Sequence, residues 1–151
     1  MRLFKRKNTH PKSVKIHPTA IVYNNVVLGE SVEIGAYSVI GAPAEIKGKK
    51  QEVKGMVYIG HNTVIREHVT IHSPRSIDGQ THVGCGGYIQ AHAHIGHDCV
   101  IGKDCTIACF ACLGGHSTIY DNANIALHAV THPRMITVSY THLTLPTILL
   151  V

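Results

Sequence analysis

The sequence has no tryptophan, two phenylalanines and six tyrosines, so aromatics make up only 5% of its 151 residues. Long stretches of Leu, Met, Glu or Lys are also missing, and with them the usual material of helices. Gly, Val, Ile and His are plentiful instead, which points to strands and tight turns. The first fifteen residues, MRLFKRKNTHPKSVK, lack an apolar core of signal-peptide length and so do not read as a secretion signal. No apolar run approaches the roughly 20 residues of a membrane-spanning helix. Five cysteines, Cys85, Cys99, Cys105, Cys109 and Cys112, make an odd number. Without a secretion signal they are expected to stay reduced, in a cytoplasmic protein. The formal charge is +5, and Arg2, Lys5, Arg6 and Lys7 place much of it in a basic N-terminal extension over residues 1–15.

What is present is a period of six. Counting from Ile59, the positions Ile65, Ile71, Ile77, Val83, Ile89, Ile95, Ile101, Ile107, Leu113, Ile119 and Ile125 are all aliphatic. The residue four further on is mostly small, as at Thr63, Thr81, Ala93, Cys99, Cys105, Ala111, Ser117, Ala123 and Ala129; Arg75 breaks the rule. An earlier run, Ile16, Val22, Leu28, Ile34, Ile40 and Ile46, obeys the same spacing. An α-helix would scatter these aliphatics around its circumference. A short strand and a turn, repeated, return every sixth residue to one interior column. Three such hexads close a triangular coil, and coils stack about 4.8 Å apart, the strand spacing. The predicted architecture is thus an all-β, single-stranded parallel β-helix over residues 16–130, each coil burying its core only against its neighbours. A loop is expected near 47–55, where KGKKQEVKG offsets the count, and residues 131–137 are expected to begin a further coil. The pattern is read as ending after Ala129. Val138 to Thr147 look like an in-frame translation of a transposase-type sequencing-library adapter, so 138–151 are expected to be a non-native tail, with the natural sequence ending near Thr137.

Thirteen histidines accompany this repeat. Eighteen residues per coil put Ile59, Ile77, Ile95 and Leu113 at the start of one wall. His97 and His116 then fall on adjacent coils of that wall, with His94 at the corner leading into it. His72 follows Ile71 on the preceding wall. Convergent titratable groups point to a site, whereas His10, His17, His68, His82 and His128 are expected only to decorate the surface. His92 and His97 have the spacing of a zinc-binding pair in a γ-class carbonic anhydrase, but the residue two coils before His92 is Met56, not a third ligand.

HAHIGHDCVIG followed by CLGGHSTIYDNANI resembles the UDP-N-acetylglucosamine acyltransferase family of lipid A biosynthesis, a hexapeptide-repeat family. VYIGHNTVIREHVTIH and IHPTAIV extend the resemblance over about Ile16 to His132. The resemblance implies a left-handed helix, although parallel crossovers are right-handed as a rule. It implies His97 as catalytic base, Asp98 as its neighbouring acid, and Gly115 as the glycine whose backbone N–H faces the reacting carbonyl. His72, His94, His116, Glu45, Lys47 and His132 match substrate-binding positions. The donor implied is an acyl-carrier-protein or acyl-CoA thioester, and the acceptor a nucleotide sugar. A homotrimer, with sites between subunits, is the implied assembly. Neither cofactor nor metal is implied, and no nucleic-acid partner is expected. Relative to the family, the stretch between IHPTAIV and the loop is shorter by about two coils, and GAPAEIKG differs from the usual wording.

The residue types suit that chemistry. A neutral imidazole of pKa about 6.5 can take a proton from a sugar hydroxyl as it attacks a thioester. A carboxylate at the other ring nitrogen fixes the tautomer. Glycine lets backbone N–H approach the developing oxyanion. The cysteines are surplus, and Cys99 and Cys105 read as core residues. Lys47, Lys49, Lys50 and Lys54, with the N-terminal cations, can meet an acidic carrier protein or phosphates, or simply form a solvated loop. Three readings stay open: an acetyl-CoA-dependent sugar O- or N-acetyltransferase, a γ-carbonic-anhydrase-like zinc protein, and a non-catalytic solenoid.

Overall fold

Two residues of strand followed by a four-residue corner make one hexad, and that unit builds nearly the whole chain. The computed structural model describes residues 10–48, 50, 52–137 and 142–143, and within them the chain is a left-handed parallel β-helix with three walls. The first wall stacks β1 (Lys15–Ile16), β4 (Glu33–Ile34), β7 (Val64–Ile65), β10 (Tyr88–Ile89), β13 (Thr106–Ile107), β16 (Asn124–Ile125) and β19 (His142–Leu143). The second stacks β2 (Ile21–Val22), β5 (Val39–Ala42), β8 (Thr70–His72), β11 (His94–Ile95), β14 (Cys112–Leu113) and β17 (Val130–Thr131). The third stacks β3 (Val26–Leu28), β6 (Met56–Ile59), β9 (Gln80–Val83), β12 (Val100–Ile101), β15 (Thr118–Ile119) and β18 (Ile136–Thr137). Every pairing is parallel. The second residue of each two-residue strand points inward, so Ile65, Ile71, Ile89, Ile95, Ile101, Ile107, Leu113, Ile119 and Ile125 form fully buried columns. The small fourth-offset residues, Thr63, Thr81, Ala93, Cys99, Cys105, Ala111, Ser117 and Ala123, are likewise buried. Cys99 and Cys105 are therefore core residues, and all five cysteines are free.

The corners impose a further rule that the hydropathy pattern does not show. Among the described residues, twelve non-glycine residues hold a positive φ, from 53° at Asp104 to 66° at Arg134, and each lies three after an interior residue. The left-handed conformation turns the corner N–H along the helix axis. At nine of these corners it meets a carbonyl of the preceding coil, as in His116 N–H to His97 O (2.9 Å) and Asn122 N–H to Lys103 O (2.8 Å), and at Ser31, Tyr37 and Asp98 a Ser or Thr hydroxyl. Asn, Asp and His are the non-glycine types enriched in this conformation. They fill eight of the twelve corners: His68, His92, His116, His128, Asn62, Asn122, Asp98 and Asp104. Much of the histidine content is thus corner chemistry. At the corner between the first and second walls the rings stack into a ladder. Tyr37, His68, His92, Phe110 and His128 lie 4.7–5.1 Å apart, nearly parallel from His68 onward.

Three expectations need correction. Ile77 is not a core residue: it is 78% exposed. Ile71 pairs on the second wall and Val83 on the third, so an extra hexad leaves the coil between β8 and β9. Arg75, the residue that broke the small-residue rule, lies in that excursion. Ile59 consequently belongs to the third wall, and only Ile95 and Leu113 share the second. His72 lies on that same second wall rather than the preceding one, because Ile71 pairs with Ile95. The first loop also begins earlier than expected, since β5 ends at Ala42 and β6 starts at Met56, which leaves Ile46 outside the buried columns. Finally, the register does not stop at Ala129. Thr131 and Thr137 are buried in the columns that aliphatics fill elsewhere, because threonine shares the branched shape of valine. The expected tail at 138–151 lies outside the described residues except for His142–Leu143, whose backbone pairs in register with Asn124–Ile125.

The ladder makes a stability prediction. Phe110→Ala loses two stacking neighbours while keeping a side chain at positive φ, and is expected to cost about 1–3 kcal/mol in denaturant unfolding. Phe110→Gly loses the same contacts but removes the backbone strain, so it should retain about 1 kcal/mol more than the alanine variant. An alanine variant more stable than the glycine one would contradict this assignment of strain.

Candidate active site

The second wall and the corner after it carry the clustered histidines. The sheet register lines up Thr70, His94 and Cys112 as outward-facing neighbours on successive coils. One corner later, Asp98 and His116 hold equivalent left-handed positions on adjacent coils, and His97 precedes Asp98. The spiral alone therefore brings Asp98 and His116 together across 18 residues of sequence.

His97 Nδ1 lies 2.8 Å from Asp98 Oδ2. With a neutral ring and an ionised carboxylate, Nδ1–H donates to that oxygen, which leaves Nε2 as the open acceptor. Asp98 is itself held from three directions. Its backbone N–H donates to Thr81 Oγ1 (2.9 Å), the Arg75 N–H donates to Oδ2 (3.0 Å), and His116 Nε2 stands 3.7 Å from Oδ2. That last separation is too long for a hydrogen bond but short enough for charge attraction once His116 is protonated. The His97 and His116 rings meet edge to face, 5.1 Å apart at 89°. Gly115 is buried against the His97 ring: a Cβ there would lie 2.6 Å from both Cε1 and Nε2. Its N–H has no hydrogen-bond partner among the described residues. The excursion of residues 73–79 closes this site from one side, where Gly79 packs so near Asp98 Oδ1 that a Cβ would fall 2.9 Å from it.

A second group adjoins the first. Ligating atoms of Glu45, His72 and His94 all lie within 4.8 Å of one another. His72 is buried, and its Nδ1 lies 2.8 Å from the Pro43 carbonyl. His94 Nδ1 lies 2.8 Å from Thr70 Oγ1. Burial holds the His94 pKa below its ordinary 6.5, helped by repulsion from His72 and His97 and opposed by attraction from Glu45. Desolvation lifts the Cys99 thiol to about 11, as expected of an inert core residue.

Of the residues singled out in the sequence, Glu45, His72, His94, His97, Asp98, Gly115 and His116 fall in these two adjoining groups. His132 is an exposed residue at the start of the same corner, one coil beyond Gly114. Lys47 lies exposed in the first loop, two residues from Glu45, and makes none of the described contacts. His92, the other half of the supposed zinc pair, belongs to the aromatic ladder at a different corner from His97. His61 lies at the third-to-first corner, away from these groups, and its Nδ1 accepts the Glu30 N–H. Thr70, Thr81 and Arg75 were not singled out from sequence as site residues. Thr81 was visible only as a small interior residue, and nothing in the pattern announces that its hydroxyl anchors Asp98. A concavity of about 760 Å³ elsewhere, lined by Lys15, His17, Glu33, Arg66 and Glu67 among others, contains none of these groups.

Comparison with known proteins accords with this geometry. Residues 12–48 match the family model described as bacterial transferase hexapeptide (six repeats). An acyl-(acyl-carrier-protein)–UDP-N-acetylglucosamine O-acyltransferase of Thermodesulfovibrio yellowstonii is 37% identical, over 74% of this chain and 50% of its own length. The enzyme of the same name from Syntrophobacter fumaroxidans is 36% identical over 68% of this chain and 54% of its own. A crystal structure of a UDP-N-acetylglucosamine acyltransferase superposes with a TM-score of 0.61 at 29% identity, covering 83% of this chain and 51% of that one. The chain thus spans about half the length of the curated relatives it matches.

Two outcomes are expected of the site. Gly115→Ala should drive the His97 ring off Asp98, seen as loss of the Nδ1–H proton resonance in an otherwise folded protein. His94 should titrate below 6.5 by NMR. The folded pKa being lower than the unfolded one, the unfolded chain binds more protons between the two values. His94 therefore contributes stability above the unfolded pKa that is lost as pH falls through the folded one. His94→Gln should accordingly flatten that acid limb of the stability profile; an unchanged profile would contradict the assignment.

Proposed function

We propose that this chain, a hexapeptide-repeat relative of the UDP-N-acetylglucosamine acyltransferases, transfers an acyl group from an acyl-carrier-protein thioester to a hydroxyl of a UDP-N-acetylglucosamine-like acceptor. The observation that carries this reading is the 2.8 Å contact of His97 Nδ1 with Asp98, beside Gly115. His97 Nε2 accepts the proton of the acceptor hydroxyl as its oxygen attacks the thioester carbon. Asp98 keeps the ring in the productive tautomer and stabilises the imidazolium that forms. The Gly115 N–H, free of internal partners, donates to the oxyanion of the tetrahedral intermediate. Collapse of that intermediate expels the thiolate, which takes the proton from His97. No covalent acyl-enzyme is required.

His72, His94, His116 and Glu45 line the surface beside this base and are assigned to acceptor binding. Lys47, on the same loop as Glu45, is assigned to the phosphates, and His132 to the outer end of the site. A lone wall gives an acceptor little enclosure, and a homotrimer, in which a second subunit supplies the opposite side of a cleft, fits that need.

His97→Gln is expected to lower turnover of acyl-carrier-protein thioester with UDP-N-acetylglucosamine by roughly 10²–10⁴-fold without lowering the melting temperature. Asp98→Asn should lower turnover too. Full turnover in a folded His97→Gln protein would refute the base, and turnover with acetyl-CoA but not with carrier-protein thioesters would reassign the donor.

A further inference from the structure

The Glu45, His72 and His94 group has a feature that acceptor binding does not require. In both imidazoles Nδ1 is already engaged, His72 with the Pro43 carbonyl and His94 with the Thr70 hydroxyl, each at 2.8 Å. Both Nε2 atoms are left without a partner among the described residues. A histidine fixed through one nitrogen by an oxygen, with the other presented outward, is the arrangement seen in metal-ligating histidines. A carboxylate beside two such rings completes a set of three protein ligands. The His72 and His94 rings meet edge to face, at 63° with centroids 5.1 Å apart, and one ligating atom of each lies within 4.8 Å of the other.

We propose that Glu45, His72 and His94 form a binding site for a zinc-type divalent cation, with Thr70 and the Pro43 carbonyl as the groups that aim the two rings. Bonds of about 2.0–2.1 Å to a tetrahedral ion set its ligand atoms roughly 3.3–3.5 Å apart. The three ligating atoms lie within 4.8 Å of one another, and Glu45 is an exposed side chain on a loop, free to close the remaining distance. The neighbouring His97, Asp98 and His116 group is the weaker candidate. There His97 Nδ1 and Asp98 Oδ2 are bonded to each other, and that same oxygen already takes the Arg75 N–H. An ion held on Glu45, His72 and His94 would exclude the acceptor from those residues. This consequence rests on the proposed function; the binding itself does not.

The test is a titration of the purified chain with Co²⁺, read by its visible d–d absorption, followed by displacement with Zn²⁺. One equivalent of Co²⁺ is expected to give the intense bands of a low-coordinate site, and Zn²⁺ should abolish them. His94→Gln and His72→Gln should remove the bands, and Glu45→Gln should weaken binding. Thr70→Val, which removes no ligand, should weaken it on the order of 10–100-fold by releasing the His94 ring. His97→Gln and His116→Gln should leave binding unchanged. Circular dichroism melts establish that each variant is folded, and should buried His72 not tolerate substitution, the half-exposed His94 and Thr70 variants decide the matter. Absence of a saturable band in the wild-type chain, binding that survives His94→Gln, or binding lost in His97→Gln would overturn the proposal. Because His97→Gln should remove acyl transfer while sparing Co²⁺ binding, failure of this site and failure of the proposed function give different results.

Discussion

The described coils depend on the left-handed residues that recur at their third-offset corners from Ser31 to Arg134. A side chain in that conformation costs roughly 1–2 kcal/mol, because its Cβ crowds the following carbonyl. The cost recurs throughout the described coils, at corners such as Asn62, His68, Asp98 and Arg134. It is offset because the corner N–H groups reach a carbonyl or a Ser/Thr hydroxyl of the coil below, and the hexads deliver branched side chains to the interior. Lateral and axial order are thus one constraint. The corner fixes the turn angle, the turn angle fixes the walls, and the walls fix which side chains meet across 18 or 24 residues of sequence.

The candidate site uses those corner positions directly. Asp98 and His116 are left-handed corner residues on consecutive coils, and Asp98 owes its orientation to a threonine of the coil below and a backbone N–H of an excursion. Their geometry is held by the solenoid backbone and needs no rearrangement to form. The excursion of residues 73–79 departs from that regularity beside the site and packs against Asp98. Among relatives named as UDP-N-acetylglucosamine O-acyltransferases, this chain matches about half the length. The coils it does contain include the complete His97, Asp98, Gly115 and His116 set.

The period of six made the fold legible. Twelve aliphatic positions in step from Ile59 could hardly arise from another architecture, and eleven of them occupy the interior as read. The failures have physical causes. Ile77 is aliphatic and in step, but composition alone does not distinguish a coil hexad from an extruded one. The misplaced walls followed from that one error. Arg75, a long cation where a small residue belongs, was the available warning. Thr131 and Thr137 looked like the end of the pattern because hydropathy scores threonine as polar, whereas its branched shape fills the column. Of the site, His94, His97 and His116 were legible from stacking arithmetic. Glu45, His72 and Gly115 came from family resemblance. Thr70 and Thr81 were not legible at all, since a threonine hydroxyl supporting a ring or a corner looks like any other strand threonine.

The account turns on His97 presenting an unprotonated Nε2 beside Gly115, with Nδ1–H held by Asp98. The most direct measurement is the ¹⁵N–¹H correlation spectrum of histidine-labelled protein at a pH where His97 is neutral. The account predicts the Nδ1–H tautomer for His97, with a downfield-shifted Nδ1 proton that vanishes in Asp98→Asn. An Nε2–H tautomer, or a His97 signal indifferent to Asp98, would contradict it.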